Sequence, residues 1–119
     1  IGMATAVEFV AWTKIYKDIP AVEDIYEGKI FECPRTHDAI YALLSKLVSY
    51  ANQREMEKGG ITIEELENVC AYSRKFPSDY GSLLILQLCR NEAIRTKLRK
   101  VKEFTNYYLE HLATAYVHN

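Results

Sequence analysis

The stretch IGMATAVEFVAWTKIYKDIPAVEDIYEGK, Ile1 to Lys29, opens in mid-element and sets how the remaining residues are read. Apolar residues recur from Met3 and Val7 through Val10 and Ala11 to Ile15, the spacing of one helix face. A second set, Phe9, Trp12, Tyr16 and Ile19, widens the stripe beyond one face. A helix apolar over so much of its girth belongs between neighbours, not on a surface. Pro20 sits where a first helical turn tolerates it, and Gly28 stands where a short helix would end. The expected opening is a long helix, a sharp corner and a short acidic helix.

The segments downstream supply neighbours for that opener. KIFECP, Lys29 to Pro34, is a connector that Pro34 keeps out of a helix. Thr36 is a good N-cap, with Asp38 in the first turn complementing the helix dipole. The helix it starts is expected to run to Arg54 or Lys58 and to bury Ile40, Leu43, Leu44, Leu47, Val48 and Ala51. Tyr41 and Tyr50 flank that stripe, and Gly59-Gly60 stops the helix.

Thr62 opens the next helix with a capping box, since Glu65 follows three residues later. Leu66, Val69, Cys70 and Ser73 give its inward face, and Phe76-Pro77 ends it. Ser78 is expected to cap a helix from Asp79 to about Arg90 that is apolar nearly all round and buries Leu83, Leu84, Leu86, Leu88 and Cys89. Asn91 then caps a long final helix with Ile94, Leu98, Val101, Thr105, Tyr108 and Leu112 along its seam. The predicted fold is all-α, a compact bundle of about five main helices plus one short helix, forming a single domain over 1–119.

Composition narrows the classes of function. Half of the 119 residues are hydrophobic, which disfavours disorder, and no run reaches the roughly 18 apolar residues of a membrane span. Cys33, Cys70 and Cys89 are odd in number and far apart, as expected of reduced thiols in a cytoplasmic protein. His111 and His118 would share a helix face, yet no thiol or carboxylate joins them in a metal-ligand spacing. There is no GxxxxGK[ST] loop, no GxGxxG and no GxSxG elbow, so neither nucleotide cradling nor nucleophilic catalysis is expected of these residues.

Charge is balanced overall at −1 but unevenly placed: residues 1–40 are net −3 and residues 81–119 net +3. The basic end carries the one polar pattern of note. Arg95, Arg99 and Lys102 fall at i, i+4 and i+7, with Lys97 and Lys100 beside them. That face suits phosphate contact; the commoner explanation is a solvated face opposite Ile94, Leu98 and Val101. Tyr16, Tyr26, Tyr107 and Tyr108 are read mainly as core-edge residues with their hydroxyls in water.

The opening stretch resembles the region just after the ATPase core in bacterial and phage MoxR-like AAA+ ATPases. The resemblance is carried by Gly2, Ala4, Ala6, Glu8-Phe9, Tyr16-Lys17, Pro20, Ile25 and Gly28. It continues through Pro34, Tyr41-Ala42-Leu43, Phe76-Pro77, Asp79 and Leu83-Leu84, and so covers most of the chain. It implies a C-terminal helical portion, a lid and its extension, of a longer chain. ATP and magnesium would then be held by an AAA+ core upstream, with the lid meeting that core, neighbouring ring subunits and a substrate protein. No catalytic residue of the family has a matching motif here, and the first helix offers only Lys14 and Lys17 as basic residues. The alternative is a free-standing helical interaction or nucleic-acid-binding module using Arg95, Arg99 and Lys102, with Met3 as its start.

Overall fold

The computed structural model describes residues 19–30 and 32–102. The expected opening helix before Ile19 and the final seam from Thr105 to Leu112 lie outside the described residues. Among the described residues there are five helices and no strand: α1 (Val22–Tyr26), α2 (His37–Met56), α3 (Ile63–Ser73), α4 (Ser78–Leu88) and α5 (Glu92–Leu98). The fold is an all-α bundle. The long α2 and the shorter α3 each pack against α1, α4 and α5.

Local chemistry accounts for most of the boundaries. In α1, Glu23 and Asp24 occupy the first turn, where carboxylates complement the helix dipole. Its end is a Schellman turn: Gly28 N–H bonds Ile25 O at 3.0 Å and Lys29 N–H bonds Asp24 O at 2.8 Å. Gly28 makes this possible by adopting φ +79°, a region closed to most side chains. Thr36 Oγ1 accepts the Ala39 N–H to start α2, and Thr62 and Glu65 form the expected reciprocal capping box of α3. Asn91 Oδ1 accepts the Ile94 N–H to start α5.

One core joins the helices. Leu43, Leu47 and Ala51 of α2, Leu66, Val69 and Cys70 of α3, Leu84 and Ile85 of α4, and Ile94 and Leu98 of α5 are all fully buried. Tyr26 of α1, expected at the core edge with its hydroxyl in water, is instead fully buried with them, donating that hydroxyl to Leu47 O at 2.7 Å and stacking on Tyr50. Asn68 of α3 donates to Tyr26 O at 2.8 Å, so the short α1 is tied to both α2 and α3.

Three further expectations are corrected. Ser78 is the first residue of α4 and not its cap; Pro77 precedes it, and the Pro77 carbonyl accepts the N–H groups of Tyr80 and Gly81. Within α4, Leu83 and Leu86 are half-buried, whereas Ile85 is fully buried, because the inward stripe runs Gly81, Leu84, Ile85 and Leu88. Gly81 belongs to that stripe because α3 lies so close: a Cβ there would stand 2.8 Å from Ser73 O.

Third, the helix that starts at Asn91 does not run on as one piece. It ends at Leu98, where Lys100 N–H bonds Lys97 O and Val101 N–H bonds Leu98 O. Bonds that reach back three residues instead of four close the α-helical ladder with a tighter turn. Val101 is fully buried just beyond that turn.

Candidate functional site

Two polar clusters hold the loop between α2 and α3. Lys97 Nζ lies 2.6 Å from Glu55 Oε2 and donates to Ile61 O at 2.9 Å. The same Glu55 oxygen accepts the Ile61 N–H at 3.1 Å. Gly60 leaves room for this cluster, since a Cβ there would meet Lys97 Nζ at 2.7 Å. Beside it, Arg54 grips Glu65 with two bonds, Nε to Oε2 at 3.1 Å and Nη2 to Oε1 at 2.7 Å. The Arg54 guanidinium, helped by the Thr62 N–H and hydroxyl, holds the Glu65 carboxyl below its usual range. These carboxylates are committed to structure.

The basic residues singled out in the sequence are distributed differently from one straight face. Arg95 lies in α5 and its Nη1 donates to Cys89 O at 3.1 Å, which satisfies a carbonyl at the end of α4. Arg99 is the C-cap of α5 and exposed, and Lys102, also exposed, follows the turn at 99–101. Lys97, expected beside this face, points inward to Glu55. Its role was hidden because its partners lie 42 and 36 residues away in sequence.

An apolar concave feature among the described residues lies between α2 and α4. Tyr41, Leu44, Ser45 and Val48 form one wall at i, i+3, i+4 and i+7, and Leu83, Leu84 and Gln87 form the other. The groove encloses about 350 Å³, in the range of small ligand or side-chain pockets. Its floor is apolar, and Ser45 and Gln87 supply a hydroxyl and an amide for orientation. At one end Tyr41, His37 and Tyr80 cluster, with Tyr41 and Tyr80 rings edge to face at 6.0 Å and His37 Nδ1 hydrogen-bonded to the Tyr80 hydroxyl. Tyr41 is 45% exposed, so its ring is open to solvent at this end of the groove. The arrangement suits capture of an apolar or aromatic side chain. Sequence periodicity placed Leu44, Val48 and Leu83 in a general apolar set, and only the helix crossing shows that their outer edges face one groove.

Other candidate chemistries are less developed. Cys70 and Cys89 are buried, and burial pushes the Cys89 thiol up to about 11, opposed by Arg95 and Arg99. Cys33 is half-buried, its thiol also raised by burial, and it donates to Pro34 O. Thiols held protonated in this way are poor nucleophiles. Among the described residues no group of three or more His, Cys, Asp or Glu side chains is placed to hold a metal ion, and no helix is long and apolar enough to cross a membrane. His111, His118, Tyr16, Tyr107 and Tyr108 lie outside the described residues. Comparison with protein-family models, curated proteins and solved structures finds no match to this chain.

Proposed function

We propose that the chain is the non-catalytic C-terminal helical part, the lid and its extension, of a MoxR-like AAA+ ATPase in the cytoplasm. In this role it couples ATP binding and hydrolysis, with magnesium, in an upstream core to the remodelling of a partner protein. The observation that supports this reading is where the residues of the resemblance fall. Gly28 ends α1 with a positive φ, Leu43 and Leu84 are fully buried, and Phe76-Pro77 forms the α3–α4 junction. The residues that carry the resemblance thus sit where the helices turn and meet. The groove between α2 and α4 offers such a domain a surface for a neighbouring protein element.

The alternative of a nucleic-acid-binding module has less support. Of its three basic residues, Arg95 already bonds Cys89 O within the fold, and the neighbouring Lys97 is turned inward to Glu55.

The decisive experiment reads the genomic frame upstream of the codon for Ile1. A continuous frame with GxxxxGK[ST] within about 250 residues, the upper range of one domain, is expected. A stop codon followed by a start at Met3 overturns the proposal. So does ATP hydrolysis at an enzyme-like rate by these 119 residues alone.

A further inference from the structure

We propose that the outer flank of α4 is the contact face between two copies of this chain, which pair antiparallel about a two-fold axis. The inference is independent of the ATPase reading and rests on the residue order of α4 and on which way that helix faces. Gly81, Leu84, Ile85 and Leu88 form its buried stripe. Asp79, Leu83, Leu86 and Arg90 follow one another by four, three and four residues, which keeps them within about 60° of one helix face, opposite that stripe. The coil persists as far as Arg90, whose N–H bonds Gln87 O at 3.2 Å just past the end of the helix. Leu83 and Leu86 are half-buried, and Asp79 and Arg90 are exposed. Neither of these two charges takes part in an ion pair among the described residues.

The order is self-complementary. Asp79 and Arg90 share a midpoint with Leu83 and Leu86, between Leu84 and Ile85. A two-fold axis through that point sets Asp79 of each copy opposite Arg90 of the other, and Leu83 of each opposite Leu86 of the other. A parallel pair would set like charges together instead. Asp79 by itself suits the first turn of α4, where it complements the helix dipole, but the dipole does not set the spacing of the leucines. Tyr41, in contact with Tyr80 and 45% exposed, widens the strip on the α2 side. A net charge of −1 leaves little general repulsion between copies. The leucines supply burial, and the charges fix register.

The test is sedimentation equilibrium of the full 119-residue chain at concentrations up to about 1 mM, the weak end of the affinity scale. A monomer–dimer equilibrium is expected. Asp79→Arg and Arg90→Asp are each expected to weaken it by about tenfold or more, because either reversal puts like charges together at both ends. An equimolar mixture of the two variants is expected to pair again, since each carries the charges the other lacks. A monomer at every concentration overturns the proposal, as does a dimer that either reversal leaves unchanged, or a mixture that stays monomeric. Circular dichroism checks that both variants keep their helix content. Where a reversal unfolds the chain, Asp79→Cys and Arg90→Cys, each with Cys33→Ser, decide. Mixed chains are expected to form a disulfide dimer, whereas Asp79→Cys chains alone are not, because antiparallel pairing holds the two thiols about 16 Å apart. Absence of the mixed disulfide, or equal linking of Asp79→Cys chains to one another, overturns the proposal.

Discussion

Glu55 and Lys97, 42 residues apart, meet at 2.6 Å, and the carboxylate that receives the ammonium also accepts the Ile61 N–H. The two side chains are only 15% and 26% exposed, so each loses much of its water on folding. Removing one leaves the other short of a partner in a place where water cannot fully replace it.

Lys97→Met should therefore destabilise the fold by about 1–3 kcal/mol, the typical cost of stranding a buried polar group. Glu55→Gln, which keeps an acceptor for Ile61, should cost less. A double-mutant cycle by urea unfolding isolates the pair, and additive effects of the two substitutions would contradict this coupling.

Acid stability should carry the mark of Glu65. Its folded pKa is lowered chiefly by Arg54, so the unfolded chain binds the proton more readily than the folded one. The resulting stabilisation is present above the ordinary carboxylate value of 4.5 and is lost as pH falls through the depressed folded value. Unfolding midpoints measured across that window should drop less steeply in Glu65→Gln than in the parent. Parallel profiles would show that Glu65 contributes nothing to the acid limb.

Core substitutions test the helix faces. Leu47→Ala and Leu84→Ala each remove a fully buried side chain and should cost about 2–5 kcal/mol. Losses under about 0.5 kcal/mol at both, the level of surface changes, would place these residues on the wrong side of their helices.

Two glycines with similar backbone angles should differ in tolerance. Gly28 and Gly59 adopt φ +79° and +85°, but an added Cβ meets Asn68 at 3.1 Å only at Gly28. Both alanine variants lose about 1 kcal/mol to the left-handed backbone. Gly28→Ala should lose more, because Asn68 must shift from its bond to Tyr26 O. Thermal unfolding of the two variants side by side checks the order.

Features encoded within a few residues were legible before the structure. The Thr36 and Asn91 caps, the Thr62–Glu65 box and the glycine stops at 28 and 59–60 each depend on partners within a turn or two. The burial of Ile85 was not legible, since a helix apolar on every side gives periodicity no direction to point. Nor was the end of α5 at Leu98, where neither Gly nor Pro marks a stop and the chain instead tightens over buried Val101. The candidate groove is half legible: spacing marks its apolar residues, but the facing of two helix flanks is a property of their crossing.

Tyr26 gives the corner at Pro20 a mechanical meaning. A helix of five residues is far too short to persist by itself in water, so α1 holds its shape through its anchors. Those anchors run from the Tyr26 hydroxyl to the middle of α2 at Leu47, and from its carbonyl to Asn68 of α3. A pull applied at Pro20 would thus be passed through these two bonds to α2 and α3 at the centre of the bundle.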